Sequence, residues 1–277
     1  LVYFSAPATP IDSDAFVTKQ VWAESRDGTP IPVFLIHRDD FEPTGNAPTI
    51  LYGYGGFDIN MTPLYAPDRI AFIEAGGVFA VANLRGGGEY GQDWHHAGML
   101  ENKQNVFDDF VGVAEHLITS GVTASENLGI HGRSNGGLLV TACLLQRPDL
   151  FGAVVGMVPV TDMLRYHRFT AGRYWTPEYG NAEADPAHFE FLKDYSPLHN
   201  VTAAKYPPTL ITTGDTDDRV VPLHAYKFVA EMQQVVGDAG PILLRVDTRA
   251  GHGLGKPTGK VIEEAADIYA FFMQHLS

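Results

Sequence analysis

The chain has 277 residues, 45% of them hydrophobic and 19% charged, which provides for a sizeable core and argues against wholesale disorder. Nineteen Lys and Arg against 33 Asp and Glu leave a net charge of −14 with His neutral. With no long basic block, that balance argues against nucleic acid or an anionic membrane as a partner. The single cysteine, Cys143, excludes an internal disulfide and lies in an apolar run, where a buried structural thiol is expected. No run of about 18 apolar residues and no signal peptide is legible. A cytoplasmic setting is therefore expected, with a removed leader left open because the sequence starts at Leu1 without a methionine.

In chain order, VTKQVWAES (17–25) and IPVFLIH (31–37) flank the turn signal RDGTP and read as an antiparallel hairpin. Six further β-rich runs follow at 48–54, 78–84, 127–132, 152–158, 208–214 and 242–248, making eight candidate strands. Helical patterns fill most gaps, at about 67–75, 105–120, 135–146, 219–236 and 259–276. Strands alternating with helices predict an α/β fold, a mostly parallel eight-stranded sheet with helices on both faces. The aromatic-rich segment 161–200 lacks a clear strand and reads as an excursion over the sheet's carboxyl edge, where such folds place ligands.

Gly132-x-Ser134-x-Gly136, after a strand and before a helix, is the nucleophile-elbow pattern of α/β-hydrolases. The serine must sit on a sharp turn to project its hydroxyl above the sheet, and flanking glycines remove Cβ atoms that would clash. A serine needs a base, and the base an orienting acid. TTGDTDDRVVP offers Asp215, Asp217 and Asp218 after one strand, and DTRAGHGLG offers His252 after the last. His224 and His275 lie in helical patterns instead, and the residues alone do not choose among the three aspartates. An oxyanion needs preorganised donors. The Asn135 N–H is one candidate, and YGYGGFDIN supplies the other, from its backbone or from Tyr52 or Tyr54.

Weaker signals read as structure. LRGGGEYG (84–91) lacks a P-loop's Gly-Lys-Ser/Thr and reads as a tight turn. His95-His96 has no partner at metal-ligand spacing, so a surface or supporting role is expected rather than zinc. FDDF (107–110) reads as a helix start with acids near its amino end. Tyr174, Trp175 and Tyr179 read as core or as pocket lining.

YGYGGF, NLRGGGEYG, NKQNVFDDF, GRSNGGLL, QRPDLFGAVV, DDRVVPLH and AGHGLGKPT together resemble the catalytic domain of the prolyl oligopeptidase family, from about residue 17 to the end. The resemblance implies a serine peptidase that cleaves short peptides after proline, with Ser134 as nucleophile, Asp217 as acid and His252 as base. It implies Tyr54 and the Asn135 N–H at the oxyanion, Trp175 stacking on the substrate proline, and Phe57, Val160, Tyr179 and Val220 completing an apolar pocket. Arg219 matches the residue that binds a substrate carbonyl. No metal or organic cofactor is implied; the expected partners are short proline-containing peptides, with neither nucleic acid nor membrane. Residues 1–277 are expected to form one catalytic domain without the β-propeller that family members usually carry, which leaves a propeller as a candidate partner.

One position departs from the family pattern. Arg133 stands where prolyl oligopeptidase has glycine and is similar to the related oligopeptidase B, which cleaves after Arg or Lys and needs a pocket carboxylate, for which Glu178 is near in sequence. The alternatives to the proline reading are that specificity, an esterase on the same fold, and a truncated, non-catalytic peptide-binding domain.

Overall fold

The computed structural model describes residues 11–237, 240–253 and 255–276. Leu254 of the block AGHGLGKPT and both ends of the 1–277 span lie outside them. Eight strands form one sheet: β1 Phe16–Glu24, β2 Pro30–Arg38, β3 Thr49–Tyr52, β4 Val78–Ala82, β5 Leu128–Arg133, β6 Ala153–Met157, β7 Thr209–Gly214 and β8 Ile242–Asp247. Their order is β1-β2-β4-β3-β5-β6-β7-β8. The β1–β2 and β2–β4 pairs are antiparallel, and the pairs from β4 through β8 are parallel. The expected hairpin closes through Ser25 N–H to Thr29 O and Gly28 N–H to Ser25 O, at 2.8 and 2.9 Å.

The helices are α1 Pro67–Glu74, α2 Gln92–His96, α3 Gln104–Thr119, α4 Asn135–Gln146, α5 Thr176–Tyr179, α6 Pro186–Tyr195, α7 Leu223–Val236 and α8 Thr258–His275. Successive strand residues point to opposite faces of a sheet, and the core divides accordingly. Leu51, Ala80, Ile130, Val154 and Ile211 pack with Phe107 of α3, Leu139 of α4 and Phe228 of α7. Ile50, Phe79, Val81, Val155 and Leu210 pack on the other face with Ile73 of α1 and Phe272 of α8. Each such large side chain contributes about 1.5–3 kcal/mol by burial, so both layers hold the central strands rigidly. Among the described residues no helix is long and apolar enough to cross a membrane. Cys143 is buried in α4, and burial raises its thiol pKa, so it stays protonated.

Three sequence expectations shift. The last-but-one helix begins at Leu223 instead of 219, because the Asp217 carboxylate accepts from the Arg219 and Val220 N–H groups and holds that stretch as a turn. The segment 161–200 has no strand but does contain α5 and α6, the latter capped by Asp185 accepting from Ala187 N–H at 2.8 Å. In FDDF, Asp109 serves no helix end. It is fully buried and grips the Arg85 guanidinium of the glycine-rich turn, which also reaches Asp27 at 2.6 Å.

Candidate active site

Ser134 joins β5 to α4 with φ 60° and ψ −116°. This left-handed conformation is uncommon outside glycine and costs on the order of 1–3 kcal/mol. Its neighbours explain how it is tolerated. A Cβ on Gly132 would lie 2.0 Å from the Gly136 carbonyl oxygen, and one on Gly136 would lie 2.6 Å from the Gly53 carbonyl oxygen. Strand, helix and the loop after β3 meet here backbone to backbone, and only glycine fits. The Ser134 N–H donates to Met157 O at 2.9 Å, tying the turn to β6.

The loops after β7 and β8 bring the partners. His252 Nε2 lies 3.2 Å from Ser134 Oγ, and His252 Nδ1 lies 2.7 Å from Asp217 Oδ2. A carboxylate only accepts, so the proton belongs on Nδ1 and Nε2 faces the serine as acceptor. Of the three aspartates, Asp217 alone is buried and reaches the imidazole, while its other oxygen takes the Arg219 and Val220 N–H groups, each at 2.9 Å. Asp215 is exposed and accepts from Ala250 N–H at 3.2 Å, pinning the histidine loop, and Asp218 is exposed. His224 is buried in α7 with Nδ1 accepting main-chain N–H groups of Thr161 and Asp162, and burial lowers its pKa to about 4. His275 ends α8.

The two tyrosines separate. Tyr54 lines a small cleft with Ser134, Phe57, Ile59, Val160, Trp175, Tyr179 and Arg219. Burial pushes its phenol up to about 12, against the opposing pull of Arg219 and of a hydrogen bond with Ser134, so it stays a donor near neutral pH. Tyr52 lines a different cavity, with Arg69 and His131. Asn135 is the first residue of α4, where N–H groups have no helical acceptor. Its side-chain amide donates to the Tyr54 carbonyl at 2.5 Å and accepts from the Tyr179 hydroxyl at 2.7 Å.

The cleft wall is aromatic. Phe57 meets Tyr179 edge-on at 5.4 Å, and Trp175 stacks on Tyr166 with ring planes 9° apart. Tyr174 is 68% exposed and does not join the cleft. Val220 was expected in the pocket, but it is buried beside Asp217 and is not among the lining residues. Ile59 was not foreseen, and an exposed isoleucine in a turn leaves no pattern to read.

Glu178 does not line the cleft. It is buried, one oxygen taking the Phe57 N–H at 2.9 Å and the other His95 Nε2 at 2.8 Å, with Lys103 Nζ 3.7 Å away. A substrate cation has no claim on it, which corrects the suggestion of a pocket for a basic side chain built on Glu178. Arg133, the other ground for that suggestion, points to the His252 main-chain carbonyl and donates to it. Among the described residues no group of three or more His, Cys, Asp or Glu is placed to hold a metal.

Known proteins resemble this chain over nearly its whole length. The model of the prolyl oligopeptidase family matches residues 65–277. The prolyl endopeptidase of Elizabethkingia meningoseptica is 45% identical over 274 residues, covering 99% of this chain and 39% of that relative. The prolyl endopeptidase of Dictyostelium discoideum is 47% identical over 272 residues, covering 96% of this chain and 36% of its own length. A chain from a structural analysis of two prolyl endopeptidases superimposes with a TM-score of 0.95 at 50% identity, covering 97% of this chain and 40% of that one. The chain thus spans about two fifths of the length of the relatives it matches. Its fold is that of the α/β-hydrolases. Because the family model takes in the strand–helix turn at Ser134, the loops carrying Asp217 and His252 and the aromatic excursion together, the chain belongs to the prolyl oligopeptidase family.

Proposed function

We propose that the chain is a serine peptidase that hydrolyses short peptides on the carboxyl side of proline through an acyl-enzyme. The observation that carries the reading is the Ser134–His252–Asp217 relay, with contacts of 3.2 and 2.7 Å, opening onto a cleft walled by Trp175, Phe57, Tyr179 and Val160. Ser134 Oγ attacks the scissile carbonyl as His252 Nε2 takes its proton; His252 then returns that proton to the leaving amine. Asp217 holds the tautomer and steadies the imidazolium. The Tyr54 hydroxyl and the Asn135 N–H take the oxyanion, a donor pair in which each member is worth about 10²–10³ in rate. Water on the same path releases the acid. Proline suits the cleft because its flat ring packs on Trp175 and its nitrogen carries no N–H to satisfy. Arg219 at the rim supplies a donor for a substrate carbonyl.

In this reading residues 1–277 act as one catalytic unit, supported by the single sheet whose strand ends carry Ser134, Asp217 and His252. A β-propeller is the candidate cap; the exposure of Ile59 at the cleft, 41%, supports it. The lone buried thiol supports a reducing, cytoplasmic setting.

The test is turnover of two matched fluorogenic peptides, one ending in Gly-Pro and one in Gly-Arg, with Ser134→Ala as the blank. A preference for proline of about a hundredfold, roughly 2.7 kcal/mol of transition-state discrimination, is expected. Preference for arginine overturns the specificity, faster turnover of short acyl esters favours an esterase, and peptide binding without turnover favours a non-catalytic module.

A further inference from the structure

The loop from Tyr54 to Phe57 is pinned at successive points. The Asn135 amide holds the Tyr54 carbonyl at 2.5 Å, the Lys103 ammonium donates to the Gly55 carbonyl at 2.7 Å, and the Glu178 carboxylate takes the Phe57 N–H at 2.9 Å. At and just beyond these points φ is positive, 60° at Gly55, 59° at Phe57 and 58° at Asp58. Phe57 and Asp58 lack glycine's freedom there, and such a conformation persists only where its surroundings over-determine it.

Lys103 and Glu178 are 1% and 5% exposed. A buried ion pair is a poor source of stability, since apolar residues of similar volume often do as well or better. What apolar residues do not offer is direction. Here an ammonium and a carboxylate present a donor and an acceptor to opposite ends of one three-residue stretch, and His95 Nε2 occupies the remaining carboxylate oxygen at 2.8 Å. Besides His95, the ionisable groups around the pair include phenols: Tyr179, whose ring centroid lies 5.5 Å from Lys103 Nζ, with Tyr195 and Tyr54. Burial raises all three, so they stay neutral and leave the pair's geometry to the ions themselves.

We infer that Lys103, Glu178 and His95 are positioning residues that hold the Tyr54 phenol and the Phe57 ring against Ser134. The inference rests on the peptidase reading proposed above and assigns these three residues a part in it.

The test is a double-mutant cycle on the rate at which a small fluorophosphonate labels Ser134, with the endpoint stoichiometry read alongside. Tyr54→Phe removes the phenol donor; Glu178→Gln removes the charge and keeps the shape. Glu178→Gln is expected to slow labelling about tenfold in the parent chain and less than about twofold in the Tyr54→Phe background. Equal losses in both backgrounds, or no loss in either, overturn the inference, because a merely structural pair acts independently of the phenol. Lys103→Met runs the same cycle from the Gly55 side and decides by the same two results should Glu178→Gln fail to fold. A parent chain that takes no label at Ser134 overturns the peptidase reading as well, so the two failures are told apart.

Discussion

Ser134 and His252 meet at 3.2 Å, yet the molecule holds them by opposite means. Ser134 is placed by backbone sterics: β5 is paired on both edges, α4 starts immediately after it, and the flanking glycines leave no room for a side chain. His252 rides on the loop between β8 and α8 and is placed by polar contacts. Asp217 takes its ring, Arg133 takes its carbonyl, Asp215 takes the Ala250 N–H, and Lys256 and Lys260 brace Asp247 at 2.7 and 2.9 Å. The serine is held by packing that has no protonation state. The histidine hangs on charges, each of which is separately removable. The loop from Tyr54 to Phe57 combines both kinds, left-handed backbone gripped by a buried ion pair.

That contrast sets the order of effects. Gly132→Ala should break the elbow outright, since no neighbouring backbone can retreat from a Cβ at 2.0 Å. We expect about 3 kcal/mol or more of lost stability and no fluorophosphonate labelling, read by urea unfolding and gel fluorescence. Survival of a labelled, folded Gly132→Ala chain would refute the steric account. Asp217→Asn should leave the fold intact but lower kcat by about 10³–10⁴, because the amide no longer fixes the Nδ1–H tautomer; stopped-time peptide assays measure it.

Arg133→Gly should cost less, about tenfold in turnover, with the unfolding free energy within about 1 kcal/mol of the parent. It frees only the His252 carbonyl tether. An unchanged rate would show that Asp217 and Asp215 hold the loop without it.

The smallest effect is one of pH. Burial pushes Lys103 from its ordinary 10.5 down to about 8. Between those values the unfolded chain binds more protons than the folded one, so this group's contribution to stability rises as pH climbs from about 8 toward 10.5. Urea midpoints at pH 7.5 and 10 should therefore rise more, or fall less, in the parent than in Lys103→Met. Identical pH responses in the two chains would mean that Lys103 is not held charged at a cost.

Much of the fold was determined by the sequence alone. Buried parallel strands read as continuous apolar runs bounded by turn residues, so all eight were located to within a few positions, and the elbow followed because only glycines tolerate that strand–helix junction. Histidine 252 stood out by its loop, and the resemblance to the family selected Asp217 and Tyr54, choices for which composition had no criterion. Burial supplies the physical reason: Asp217 alone of its trio turns inward to the imidazole, and Tyr54 rather than Tyr52 faces the serine. The short α2, α5 and α6, the role of Glu178, the direction of Arg133 and the burial of Val220 beside Asp217 were decided only by the tertiary structure. Glu178 meets Phe57 across 121 residues and Arg133 meets His252 across 119. Local pattern sets which face of an element is apolar, but a polar group's partner is set by which distant loops the packed sheet brings to the same edge.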